Sequence, residues 1–234
     1  MKKAKIILLS PHHDDIAFSI GGMISIYCYT KNIKCYLINI FNKTKYCLPT
    51  CKTTNVNKQR NAEDNRFAKQ FSLNKINLNF PDSSVLRHTA HSEIICTPHD
   101  IRRSFLMQKL NKIFKYIKPN KIFCPLGIGG HIDHKMVKEI CLEIFRNNYH
   151  NLVFYEDLPY AYDYKSQYIK DIIKRTMPLK LHAKYINITS RWYIKEKSIF
   201  FYKSQVTKET IAKIQKYAQS LGANKSFFER IWIP

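Results

Sequence analysis

Two short stretches of the chain carry side chains suited to hydrolytic metal chemistry: Pro11-His12-His13-Asp14-Asp15 and Gly130-His131-Ile132-Asp133-His134. Together they offer four histidines and three carboxylates. Zinc accepts imidazole nitrogen and carboxylate oxygen, and a catalytic site keeps three protein ligands with one position open for water. Asp14 and Asp15 are neighbours, so in a tight turn their side chains diverge. One of them can ligate while the other stands beside the water as a general base. His131 and His134 are three residues apart at a helix start and so share one face. Asp133 can hold an imidazole in one tautomer, as carboxylates behind metal ligands do. Each stretch alone has a plainer explanation, since Asp14 or Asp15 could simply cap the helix that follows. The two together, each directly after an apolar run, point to a site.

The elements that must position these turns are legible as hydrophobic patterns. Residues 4–9 are apolar apart from Lys5 and end at Ser10-Pro11, the mark of a strand buried on both faces. A helix is expected over 16–30, with Gly21 and Gly22 allowing it to pack closely on the sheet. Strands are expected over 34–41, 75–80, 121–125 and 152–155, and helices over 57–71, 100–117 and 133–147. Further helices are expected near 191–203 and 207–220. Residues 42–55 read as a polar loop and 81–98 as a long irregular segment, a length that in compact domains is often functional. The alternation predicts one α/β domain spanning 1–234, three-layered and Rossmann-like, with a mostly parallel sheet and helices on both faces. Both histidine turns then fall beyond the carboxyl ends of strands, where open parallel sheets bind ligands.

The chain of 234 residues is 45% hydrophobic and 24% charged, which argues against wholesale disorder, collagen or a multi-span membrane protein. Its net charge of +22 would draw polyanions, yet thirty of the 39 basic residues are Lys, spread along the chain, and no nucleic-acid module accompanies them. Seven cysteines form no Cys-x-x-Cys pair, which fits free thiols in a reducing, cytoplasmic setting. No apolar run approaches the ~18 residues of a spanning helix.

At the two histidine turns the chain resembles the PIG-L or LmbE-like N-acetylglucosaminyl deacetylases, zinc hydrolases that remove an acetyl group from an amino sugar. Residues 11–15 stand where that family has Pro-His-Pro-Asp-Asp, and residues 131–134 where it has His-x-Asp-His. Arg60-Asn61-Ala62-Glu63 matches its Arg-x-x-Glu helix, and Phe80-Pro81-Asp82 its aromatic-Pro-Asp turn. Residues 155–160 and 195–205 are similar to later segments, so the likeness covers nearly the whole chain. The resemblance implies that His12, Asp15 and His134 bind Zn2+ and that Asp14 is the base. It also implies that His131, oriented by Asp133, stabilises the oxyanion, with Arg60 on the substrate side. His13 departs from the family proline and is expected to face solvent without ligating.

The function this resemblance implies is zinc-dependent hydrolysis of the N-acetyl group of an amino sugar or sugar conjugate, with release of acetate. Arg60 and Arg87 are expected to meet sugar hydroxyls or a phosphate, and the positive charge would favour an anionic conjugate. The segment 81–98, with Arg87, His88 and His91, is expected to form a lid or specificity wall. Tyr155, Glu156, Asp157 and Tyr160 follow the fifth strand, where some would line the pocket. Two other functions fit the same residues. One is a metal-dependent phosphoesterase with paired metals; the other is a catalytically silent, basic binding protein on the same fold.

Overall fold

A computed structural model describes residues 3–30, 32–86, 100–223 and 225–234. The apolar run at the start becomes β1 (Ala4–Ser10), whose last five residues are all buried. It pairs in parallel with β2 (Ile33–Asn39) on one side and β4 (Lys121–Pro125) on the other. β3 (Asn74–Asn77) adds to β2 and β5 (Leu152–Tyr155) to β4, both parallel. The remaining strands, β6 (His182–Asn187) and β7 (Phe228–Ile233), extend the sheet antiparallel, giving the order β3-β2-β1-β4-β5-β7-β6.

Chain order reverses direction between β1 and β4, so the sheet has its topological switch point there. Crevices open at such points, beyond the carboxyl ends of the two strands. The two histidine turns follow these neighbouring strands and therefore meet. The helices expected from sequence are present as α1 (Asp15–Cys28), α2 (Val56–Gln70), α3 (Ile101–Ile117) and α4 (Ile132–Ile144). Right-handed crossovers put α1 and α2 on one face and α3 and α4 on the other. α5 (Ser166–Thr176) was not expected, whereas α6 (Trp192–Ile199) and α7 (Lys208–Ser220) fall within the anticipated regions.

α1 breaks its helical geometry at Ile20 (φ −130°, ψ 22°). The freed amides of Gly22 and Met23 donate to the carboxylate of Glu229 on β7 at 2.9 and 2.7 Å. Lys195 of α6 pairs with Glu229 at 2.7 Å and donates to the Ser19 carbonyl at 3.2 Å, so the polar groups exposed by the kink are satisfied. Gly22 is needed less for the sheet than for Ile188: a Cβ on it would lie 2.7 Å from that side chain. These contacts anchor the helix whose first residue is Asp15.

Candidate active site

After β1 the chain turns tightly. The His12 amide donates to Asp15 Oδ2 at 2.6 Å, and the amides of Ile40 and Phe41 clamp the Ser10 and Pro11 carbonyls from beyond β2. Asp14 occupies the N-cap position of α1, yet its side chain makes no capping hydrogen bond. The plain capping explanation therefore fails for Asp14, and the two carboxylates do diverge. The second turn needs its glycines. Gly127, Gly129 and Gly130 all have positive φ, and a Cβ on Gly129 would sit 2.6 Å from Cβ of Tyr160.

Where the turns meet, three donor atoms converge. His12 Nδ1 lies 3.2 Å from His134 Nε2, and Asp15 Oδ2 lies 3.5 Å from the first and 3.4 Å from the second. Metal bonds of about 2.0–2.2 Å to nitrogen and oxygen give a tetrahedron edges of about 3.3–3.6 Å. The triangle therefore has the size of one face of a zinc coordination sphere.

The far side of each imidazole is held by a carboxylate. His12 Nε2 contacts Asp133 Oδ2 at 3.1 Å, and His134 Nδ1 contacts Asp157 Oδ1 at 2.6 Å. With protons on those two nitrogens, His12 Nδ1 and His134 Nε2 face each other as lone pairs, an arrangement that calls for a cation between them. The same demand shows in the protonation balance. Burial would lower the pKa of His12, but Asp133 and Asp15 outweigh it and push it up to about 10. Burial would raise Asp15, yet His134 and His12 hold it well below the usual carboxylate range.

Among the described residues, His12, His131 and His134 also form a group whose ligand atoms lie within 4.8 Å of one another. Asp15 fits better than His131 as the third ligand because it closes the short-edged triangle and adds a negative charge. His131 Nδ1 already accepts the Asp133 amide at 3.2 Å, which leaves the proton on Nε2 as a donor. Burial, followed by the charges of His12 and His134, pushes the His131 pKa down to about 3, so the ring stays neutral. Asp133 orients His131 through its backbone. Its carboxylate turns instead to His12, the Ser83 amide and Arg102 Nη1, a different partner from the one expected.

A cavity of about 470 Å³ opens over this cluster, with His12, Asp14, Asp15 and His131 among its lining residues and Tyr46, Arg60, Tyr160 and Gln205 along its walls. A larger hollow of about 700 Å³ lies at the opposite end of β1 and β2, but its lining offers thiols and lysines with no acid–base pair. Asp14 stands in the cavity over the cluster with its Oδ1 3.6 Å from Arg60 Nη2. Burial and the neighbouring Asp15 raise its pKa against the pull of Arg60.

Arg60 is thus in the site, whereas Arg87, His88 and His91 fall outside the described residues. His13 does not face solvent. It is 1% exposed and its Nδ1 lies 3.4 Å from Asp64, a carboxylate that also accepts from Asn39 and Tyr202. The turn rotates His13 inward because its neighbours His12 and Asp14 both point to the cavity. Of the residues after β5, Tyr160 lines the cavity and Asp157 backs His134. Tyr155 and Glu156 are structural, bonded to the Leu9 carbonyl and to Arg230. Arg102 is a site residue that the sequence did not disclose. Its guanidinium joins Asp133, Asp100 and the Pro81 carbonyl.

A family model described as PIG-L: GlcNAc-PI de-N-acetylase matches residues 7–145, a span that includes both turns. A 2'-N-acetylparomamine deacetylase from Streptomyces fradiae is 22% identical over 225 residues, covering 94% of this chain and 80% of the relative. The zinc-inhibited form of a teicoplanin deacetylase superposes with a TM-score of 0.74 at 16% identity, covering 98% of this chain and 97% of that one. The 4-carboxy-2-hydroxymuconate hydratase from Pseudomonas putida KT2440 superposes with a TM-score of 0.67 at 11% identity, covering 100% and 95%. At such identities the structural likeness carries the fold, and chemistry must be argued from side chains.

Proposed function

Because the chain belongs to the PIG-L family, we propose that it is a metal-dependent N-deacetylase that hydrolyses the N-acetyl group of an amino sugar or sugar conjugate. The observation that carries this reading is the donor triangle of His12, Asp15 and His134 beside an uncapped, cavity-facing Asp14. Zinc suits the donor set, and when bound it would lower the pKa of water from 15.7 to about 7.

The chain's own residues supply the rest. Asp14, with its raised pKa and its place in the cavity, takes a proton from the attacking water. As the acetyl carbonyl oxygen gains charge, His131 donates to it from Nε2, the nitrogen that the Asp133 amide leaves protonated. Asp14 then returns the proton to the departing nitrogen, giving acetate and a free amine. Arg60 holds Asp14 on the cavity side and faces the substrate.

The size of the cavity suits a small molecule, and its described lining carries Asp14, Asp15 and Asp82 against Arg60 alone. With the two positive charges of a bound metal that balance comes to neutral, so the cavity suits an amino sugar without a phosphate, despite the basic exterior. The relative from Streptomyces fradiae is named for such a substrate, an N-acetylated paromamine.

An acetate-release assay tests this reading with N-acetylglucosamine, an N-acetylated aminoglycoside and N-acetylglucosamine 1-phosphate. Release is expected from the first two and least from the phosphate. No release from any amino-sugar acetamide would overturn the proposal.

A further inference from the structure

Asp157 sits 23 residues beyond His134, at the end of the fifth parallel strand, and is 1% exposed. It does not line the cavity, so it cannot meet substrate. Among the described residues each of its carboxylate oxygens has one hydrogen-bond partner. Oδ2 accepts the Ile128 amide at 2.8 Å, in the glycine turn that delivers the second histidine motif. Oδ1 lies 2.6 Å from His134 Nδ1. The strand end is fixed in turn by the Leu158 amide, which donates to Ser19 Oγ at 3.1 Å, and by the Ala161 amide on the Asp157 carbonyl at 2.9 Å. The carboxylate therefore has one orientation, and a carboxylate can only accept.

We infer that Asp157 is a positioning residue that holds the His134 proton on Nδ1, so that Nε2 reaches the metal as a lone pair. The inference rests on the metal reading of the site and adds a group that the two motifs do not contain. It also explains why the histidines bind through different nitrogens. Asp133 takes Nε2 of His12 and frees Nδ1, whereas Asp157 takes Nδ1 of His134 and frees Nε2. Carboxylates behind metal-bound histidines fix tautomer and ring orientation together, and their loss costs about 10–100-fold in metal affinity.

Asp157→Asn discriminates this role from simple packing. The amide oxygen can keep the Ile128 bond, but its NH2 would then face His134 Nδ1 and donate to it, driving the ring proton to Nε2 and blocking the ligand atom. Zinc affinity, measured by competition with a chromophoric chelator, should fall about 10–100-fold in a variant whose metal-free melting curve stays near that of the wild type. A folded variant that binds zinc as tightly as the wild type overturns the inference. A second measurement needs no variant. Long-range 1H–15N spectra of the zinc-loaded wild type should show His134 protonated at Nδ1, and a ring protonated at Nε2 overturns the role whatever the variant does. Wild-type protein that takes up no zinc would instead sink the metal reading itself, and zinc uptake without acetate release would sink only the proposed activity.

Discussion

Asp14 and Asp15 are chemically identical and adjacent, yet their surroundings divide the work between them. Asp15 is tied to the His12 amide and faces two imidazoles, which keeps it ionised and fit to ligate. Asp14 lies 3.6 Å from Arg60 and has a raised pKa, which suits the proposed part of taking up and returning a proton. Asp14→Asn should therefore retain metal while losing about 10²–10⁴ in kcat, since that is the usual worth of a positioned acid–base group. Metal analysis alongside steady-state kinetics checks this, and a fully active variant would show that the base lies elsewhere. Most of these residues could be read from sequence because each motif is contiguous and its residue types are few. The partners behind them could not. Asp157 and Arg102 meet His134 and Asp133 only after folding, across 23 and 31 positions. The inward turn of His13 likewise depends on Asp64, a residue of the second helix with no local signal linking the two.

Of the five parallel strands, β1 and β5 were legible for a physical reason. A strand covered on both faces reads as a near-continuous apolar run, as residues 6–9 of β1 and all of β5 do, whereas β3 is polar and not fully buried. β6 is a different case. It lies at the sheet edge with an exposed, Lys-bearing sequence and no clean alternation, a composition that discourages edge pairing with other chains and hides the strand from a hydrophobic pattern. β7 was equally obscure because it carries Glu229 and Arg230, both buried and both paired. α5 shows only Ile169 and Ile173 to the core amid charged residues. Among the connections, the glycine turn before α4 is the most exacting. Gly129→Ala would place a Cβ 2.6 Å from Tyr160 at φ +86°, so the Tyr160 wall of the cavity must shift. The left-handed backbone alone costs a non-glycine residue about 1–2 kcal/mol. Urea unfolding should register that loss and kinetics a raised KM; unchanged values in both would mean that Tyr160 is not held by this contact.

Across the whole molecule, the +22 charge and the carboxylate-rich site are two sides of one distribution. Acidic side chains are scarce, and Asp14, Asp15, Asp64, Asp82, Asp133 and Asp157 gather at or just beneath the cavity, with most lysines left to the exterior and Lys195 and Lys138 buried away from it. The basic exterior is therefore a poor guide to what the cavity binds. Among the described residues no helix is long and apolar enough to cross a membrane. The sheet, with its switch point between β1 and β4, brings together two turns that lie more than a hundred residues apart and sets their donor atoms around the proposed cation site. The most direct test is a zinc titration of chelator-stripped protein, followed by acetate release from an N-acetylated amino sugar. Activity should vanish on stripping and return in full at one zinc per chain. Acetate release that survives stripping, or that requires two metals per chain, would contradict the account.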